Sequence, residues 1–480
     1  MAQSKVQKPF AVKTAKAVAD ALSGFTGPHR SIKQRFSDGK ALRVKTARES
    51  HASFTPASRR AAPLSILQAQ NRTRIQELVP VRMARMLASP FAFLRGSAAV
   101  MAADLAPSPV SGIDVQACGD MHVSNFGVYA SAERNLVFSI NDFDETFPGP
   151  WEWDLKRLAA SAAVAARFLG GDAVAAENAA HETASAYRKH MREYADMGRL
   201  ETWYTMIDSK TAIATLSKDA RRQAERNLEK ARNRTNLQVL GKMTELVDNQ
   251  HRIIEIRPLI VRETHSTSGR PIADALSAAM QQYLESLSWD RRQLLSGYRI
   301  IDVARKVVGV GSVGTRCWIL VLEGVDRNDP LMLQYKEAQA SVLQPYLKTA
   351  LPFADEGHRV VAGQRMIQAS PDIFLGWGQI DKSHFYIRQL RDMKGGIELI
   401  PGKTRVSNFT EYCGLCGWAL ALAHAKSGDA AMISGYLGKI EVMDDAIGKF
   451  AMAYADQTDR DFEMLSIQAK AGKFQVASES

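Results

Sequence analysis

Ile113-Asp-Val-Gln-Ala-Cys-Gly-Asp-Met-His-Val-Ser-Asn-Phe-Gly127, followed after a short apolar run by Ile140-Asn-Asp-Phe-Asp-Glu-Thr146, is the stretch on which the reading of this chain turns. Ile113–Ala117 and Leu136–Ile140 are short apolar runs flanked by Gly, Asp or Asn, the pattern of buried strands. Asp120 and Asn125 stand five apart in the loop between them, and Asp142 lies seventeen beyond Asn125, after a hairpin. Singly, Asp and Asn are turn formers. Together, between apolar strands, they supply what phosphoryl transfer needs. One carboxylate accepts the proton of an attacking hydroxyl, and an Asn and an Asp hold Mg²⁺ on nucleotide phosphates.

A second constellation lies downstream in Val307-Val-Gly-Val-Gly-Ser-Val-Gly-Thr-Arg316. Gly309, Gly311 and Gly314 fit G-x-G-x-x-G, with Ser312 between them. Alone the motif is weak, since glycines are common turn formers. A dinucleotide fold would follow it with a helix, but here an apolar strand, Cys317–Leu322, comes next. A glycine hairpin covering phosphates is the kinase arrangement. A third strand, Leu331–Tyr335, ends at Lys336, where a kinase places the lysine that pairs with the α and β phosphates. Glu356, near a predicted helix start, is the candidate carboxylate that orients this lysine, with Gln364 a weaker substitute. Phe385–Arg391 reads as a strand entering a hinge, with Gln389 among the residues expected to meet an adenine.

The segment Cys118-Gly-Asp-Met-His-Val-Ser-Asn125, with Ile140-Asn-Asp-Phe-Asp-Glu145, resembles the catalytic segment of the protein-kinase-like superfamily in its aminoglycoside- and choline-kinase-type branch. That branch reads H-G-D-x-H-x-x-N, a strand, then I-D-F/W-[DE]. The resemblance implies that Asp120 is the catalytic base, that Asn125 and Asp142 are metal ligands, and that ATP and Mg²⁺ are bound. The extra Asn141 leaves both Asp142 and Asp144 as metal candidates, with Asp142 favoured by register. Asp154, in Trp151-Glu-Trp-Asp-Leu155, matches a structural Asp-Leu of the branch, while Cys118 departs from its first His. In ordinary kinases the glycine loop and lysine precede the catalytic Asp; here they follow it. A circular permutation accounts for this, because Leu420-Ala-Leu-Ala-His-Ala-Lys-Ser-Gly-Asp429 resembles the helix that leads into the catalytic loop of small-molecule kinases. Joining that helix in space to the segment around Cys118 restores the usual order, and permutation is tolerated where chain ends meet at the surface. More widely, Ser89–Gly96, the two Asp segments, Val308–Thr315 and Arg388–Lys394 resemble the bacterial domain-of-unknown-function family 2252, over about residues 35–465.

The expected fold is α+β, protein-kinase-like and two-lobed, circularly permuted, with a large helical lobe. Its expected parts are a basic mobile tail (1–60), a helical region carrying the Asp loop (61–298), a β-rich region with the glycine hairpin (299–395) and C-terminal helices packing on the helical region (396–480). The 480-residue chain has a formal charge of +11, but residues 1–60 hold 13 Lys and Arg against 3 Asp and Glu, and the other 420 hold 49 against 48. The body is therefore near neutral, which argues against a nucleic-acid-binding face and leaves only non-specific affinity through the tail. The basic stretch Lys210–Asn233 reads as a solvated helix face. Cys413 and Cys416 form a CxxC without a second pair to complete a zinc site and read as buried residues one helical turn apart. No run of 18 apolar residues suggests a membrane span, the first twenty residues lack a secretory apolar core, and a cytoplasmic location is expected. The expected function is Mg·ATP-dependent transfer to a hydroxyl acceptor that the sequence leaves open. Transfer of AMP by the same fold, a nucleotide-binding regulatory module without turnover, and a nucleic-acid-associated protein are its rivals.

Overall fold

A computed structural model of the chain describes residues 28–233, 236–248, 250–263, 265, 269–353, 355–390 and 393–477. The decisive stretch folds as its pattern predicts. Leu136–Ile140 is buried along its whole length and pairs antiparallel with Phe126–Ala130, Phe126 facing Ile140. Gly395–Gly396 and Ile207–Asp208 complete a four-stranded sheet around this hairpin. Asp114–Ala117 pairs antiparallel with Phe147–Pro150. The chain entering the Asp120 loop and the chain leaving the Asp142–Asp144 segment are thus hydrogen-bonded to each other, and the loop between them is held at its base.

The β-rich region forms a six-stranded antiparallel sheet in the order Gly376–Ile380, Ser383–Gln389, Pro330–Ala338, Cys317–Glu323, Arg299–Lys306, Ile260–Val261. Its strand Pro330–Ala338 is buried throughout. Because side chains alternate across a strand, Leu333 and Tyr335 face one way and Met332, Gln334 and Lys336 the other. The first face packs with Trp318, Leu320 and Phe385 on the helix Ile272–Ser286, through Ala275, Ala279 and Tyr283. The second face meets Leu240 and Ile253 around Met332, Ile319 and Val321, and leaves Lys336 at the opposite end of its strand.

The helices Trp151–Phe168, Ala173–Ala195, Val406–Ser427 and Val442–Lys470 pack into one large apolar core. Alanine and glycine allow the close approach. A Cβ on Gly417 would stand 2.2 Å from the carbonyl oxygen of Thr183 on the neighbouring helix. Cys413 and Cys416 are buried thiols on Val406–Ser427, as their spacing implied.

Two boundaries differ from expectation. Residues 1–27 of the predicted mobile tail lie outside the described residues, but 28–60 are docked structure. Helix Ile32–Ala41, N-capped by Ser31, packs so closely on helix Ala430–Leu437 that a Cβ on Gly39 would overlap the backbone of Met432. Arg43 donates to the carbonyls of Tyr436 and Gly435, and Arg48 to that of Leu437. Arg60 is bidentate to both Asp104 and Asp461. Part of the basic excess is held here, by helix C-terminal carbonyls and buried carboxylates. The other difference is at 298/299. Ile260–Val261 and helix Ile272–Ser286 belong to the large sheet, so the β-rich unit begins earlier in sequence than its strand pattern suggested. The short strands Thr244–Val247 and Gln250–Ile253 also fall in a stretch read as helical.

Candidate functional site

The hairpin ending at Ile140 delivers Asp142 and Asp144 to the edge of the large sheet, where Lys336 meets them. Lys336 Nζ lies 3.5 Å from Asp142 Oδ1 and in contact with Asp144 Oδ2. Lys336 is 3% exposed. Burial alone would push its ammonium group down; Asp142 and Asp144 outweigh that, and the net direction is upward. Burial pushes the Asp142 carboxyl up, but Lys336, Arg388 and Lys394 hold it down at about 2. Both charges therefore persist at neutral pH. Asp144 also accepts from Tyr386 Oη at 2.7 Å and from Ser312 Oγ at 3.2 Å. Tyr386 stands opposite Lys336 in the sheet register, and burial, reinforced by Asp144, raises its phenol and keeps it a donor.

Asp120 and Asn125 come to the same cleft from the other side. Gly119 has φ +81°, and a Cβ there would stand 2.5 Å from the carbonyl oxygen of Glu145, so glycine is required for the turn into Asp120. Asp154, in the first turn of helix Trp151–Phe168, accepts the backbone N–H groups of Cys118 (2.6 Å) and Gly119 (2.9 Å). His424 Nε2 lies 3.2 Å from the same carboxylate, and Tyr187 Oη lies 2.8 Å from His424 Nδ1. This buried chain anchors the loop. The buried Arg157 then donates from Nε (3.0 Å) and Nη2 (2.5 Å) to a single oxygen of Asp120, Oδ1, which turns Oδ2 to the cleft. Asn125 donates its amide to the carbonyl of Asp120 at 2.6 Å, keeping its side-chain oxygen as an acceptor.

The glycine hairpin closes the cleft. Gly309, Val310, Gly311 and Ser312 line it together with Asp120, Asn125, Asp142, Asp144, Arg95 and His122. Gly309 (φ +68°) and Gly314 (φ +88°) adopt the left-handed backbone that glycine permits. Segment 74–96 straps the hairpin down: Ile75 donates its N–H to the carbonyl of Gly314, Arg74 donates to that of Val313, and Arg85 to that of Gly309. Arg95 differs from these. Among the described residues it donates to no carbonyl or carboxylate, and its guanidinium lies 5.8 Å above the Phe91 ring. Burial lowers its pKa while Asp120 and Asp142 oppose the shift.

Asp142 Oδ1 is buried and, beyond its ion pair with Lys336, accepts no hydrogen bond among the described residues. Among the described residues no cluster of three or more His, Cys, Asp and Glu is arranged to hold a metal. A carboxylate and an amide oxygen facing a phosphate site are nevertheless the sparse protein donor set that Mg²⁺ accepts, since it retains water and phosphate as its other ligands. Asp142 and Asn125 fit that role. Asp144, saturated by Lys336, Tyr386 and Ser312, fits a positioning role instead.

The sequence profile of a bacterial family, described as "Uncharacterized protein conserved in bacteria (DUF2252)", matches residues 74–467. This chain belongs to the DUF2252 family. No curated protein and no solved structure matches it. Among the described residues, no helix is long and apolar enough to cross a membrane.

Of the residues singled out from sequence in this DUF2252 chain, Asp120, Asn125, Asp142, Asp144, Gly309, Gly311 and Ser312 line one cleft, Lys336 reaches it from the sheet, and Gly314 shapes the hairpin. Three do not join them. Glu356 pairs with Arg359 three residues on, not with Lys336, whose counter-charges are Asp142 and Asp144. The helix Glu356–Ile367 instead reaches the Asp segment through Arg359, which donates to the carbonyls of Asp144 (3.0 Å), Thr146 (2.5 Å) and Gln339 (2.7 Å). Gln364 bonds to Gln368. Gln389 faces a neighbouring cavity with Tyr129, Asn141 and Arg388, and its backbone N–H donates to Asp372. Sequence reading missed Arg157, Tyr386, Arg359 and Glu145. Burial pushes Glu145 up to about 7 against the Val342 N–H that it accepts, placing a carboxyl near neutrality in the cleft wall. The first three carried no local signal; Glu145 stood in the decisive stretch, beside Asp144.

Proposed function

We propose that this DUF2252 chain is a Mg·ATP-dependent phosphotransferase of protein-kinase-like, circularly permuted architecture, acting on a hydroxyl acceptor. The observation that carries the proposal is the ion pairing of Lys336, on the strand after the glycine hairpin, with Asp142 and Asp144, on the hairpin after the Asp120 loop. Two constellations read separately, and in the wrong order for an ordinary kinase, meet in one cleft. The permutation is further supported where helix Val406–Ser427 ends. Ser427 Oγ accepts the N–H of Gln116 at 3.1 Å, on the strand that runs into Asp120. The end of the late helix thus abuts the start of the early loop.

In this reading Lys336 and the N–H groups of Gly309–Gly314 hold the nucleotide phosphates, and Asn125 and Asp142 hold the metal. Mg²⁺ supplies charge neutralisation of those phosphates. Arg95, whose guanidinium donates to no carbonyl or carboxylate among the described residues, meets the phosphoryl oxygens from the side of the strap. Asp120 takes the acceptor proton on Oδ2 while Arg157 fixes the carboxylate through Oδ1. Such a site works by positioning and charge stabilisation. The test is ³¹P NMR of ATP and Mg²⁺ with the full chain, beside the thermal shift that ATP produces. Asp120→Asn is expected to lower ADP formation by about 10²–10⁴-fold while the ATP thermal shift persists. Unchanged turnover rejects Asp120 as the base, and pyrophosphate in place of ADP would mark nucleotidyl transfer instead.

A further inference from the structure

The basic helix Lys218–Arg232 is more than a solvated face. Arg222, Arg226 and Lys230 stand four residues apart and so share one side of it. Lys403 and Arg405, from the turn before helix Val406–Ser427, stand opposite, and the two elements wall a groove of about 430 Å³. Asp219 pairs with Arg405 at 2.8 Å. Among the described residues, no carboxylate lies within ion-pair distance of Arg222, Arg226, Lys230 or Lys403. Asp219 is the one carboxylate among the groove's lining residues, against Arg222, Arg226, Lys230, Lys403 and Arg405, so exposed cations from two elements converge on a groove of net positive charge, which draws anions.

The groove is backed by a second, apolar space. Gln223, Asn227 and Asn408 line both the groove and a cavity of about 100 Å³ walled by Phe138, Ala212, Leu216, Ala224, Leu228 and Phe409. An apolar cavity of ~150 Å³ admits a benzene ring; this one is smaller but opens onto the groove, through lining residues that the two share. A pocket with an apolar body and a few convergent polar groups is the usual form of a small-molecule site. Neither space shares a lining residue with the Asp120 cleft.

We infer that this is a second ligand site, for a small organic anion with an aromatic or compact apolar end. The apolar end enters the cavity, and a phosphate or carboxylate lies among Arg222, Arg226, Lys230 and Lys403. Gln223, Asn227 and Asn408 supply hydrogen bonds at the junction. The inference does not rest on phosphotransfer, because the two sites are separate.

Phenyl phosphate is the probe, titrated calorimetrically into the full chain beside inorganic phosphate (anion alone) and phenol (ring alone). Phenyl phosphate is expected to bind at least tenfold more tightly than either. Arg226→Glu with Lys230→Glu should weaken it tenfold or more. Ala224→Leu, which fills the cavity, should reduce it to the affinity of inorganic phosphate without changing phosphate binding. Arg226→Gln with Lys230→Gln serves as the milder pair if charge reversal perturbs folding. Equal affinity for phenyl phosphate and phosphate overturns the inference. So does binding that survives both variants but is lost in Lys336→Met, which would put the probe in the Asp120 cleft.

Discussion

Two sets of charges in this molecule join distant parts of the chain, and they differ in what they leave over. In the first, Arg43, Arg48 and Arg60 of the N-terminal segment end on the carbonyls of helix Ala430–Leu437 or on Asp104 and Asp461. In the second, Lys336 pairs with both Asp142 and Asp144, yet among the described residues Asp142 Oδ1 accepts no hydrogen bond and Arg95 finds no acceptor. Native proteins satisfy nearly all buried polar atoms. The first set ends on protein acceptors; the second leaves a guanidinium and a carboxylate oxygen lining a cleft, where a ligand can reach them. Net charge separates these cases badly: part of the basic excess lies with the first set, and the candidate site lies in the near-neutral body.

The largest effect should come from breaking the first set. Arg60→Met strands Asp104 and Asp461, and removing one partner of a buried pair costs about 3–5 kcal/mol. Chemical denaturation should show that loss while the ATP thermal shift is unchanged; loss of the shift alone would erase the distinction. Lys336→Met should cost less, about 1–3 kcal/mol, because Asp142 and Asp144 are partly solvated and can recruit a cation. Millimolar Mg²⁺ should raise the Tm of this variant more than that of the unaltered chain, and the ATP shift should disappear. An equal Mg²⁺ response in both would count against Asp142 as a metal ligand.

A pH effect comes next. Burial pushes the His122 imidazole in the cleft down to about 4, with Arg95 and Arg157 adding to the shift and Asp120 opposing it. The unfolded chain takes up that proton near pH 6.5, and the folded chain refuses it until about pH 4. On its own His122 therefore contributes a loss of stability as pH drops through that window, while Glu145, raised to about 7, contributes a gain over much of the same range. His122→Gln should remove the first contribution, and an unchanged slope would contradict the buried neutral ring. The smallest effect belongs to Glu356→Gln. Arg359 keeps its three carbonyl acceptors, so a loss of at most about 1 kcal/mol and an unaltered ATP shift are expected. A lost shift would restore Glu356 as the orienting carboxylate.

Local pattern made much of this legible. The Leu136–Ile140 and Cys317–Leu322 runs, the Gly309–Gly314 spacing and the end of the strand at Lys336 carried their structure in adjacent residues. Gly376-Trp-Gly-Gln-Ile380 carries two glycines, which weaken strand propensity, yet it forms the edge strand of the large sheet. The structure gives its reason: a Cβ on Gly376 would stand 2.4 Å from Ser286 Oγ, so the helix Ile272–Ser286 lying on this edge strand demands glycine there. Glu356 was misread for a related reason. Its place at a helix start suggested a partner for Lys336, but Asp144 already occupies that position.

Alone, then, the sequence determined the strands around the candidate site and the chemical kinds of its residues. Strand periodicity, turn residues and glycine spacing are short-range properties written in neighbours. Only the tertiary structure decided which charges meet. Arg157 on Asp120, Tyr386 on Asp144 and Arg359 on the Asp segment are contacts between elements far apart in the chain. Their energies depend on burial and distance, neither of which any single stretch of sequence contains.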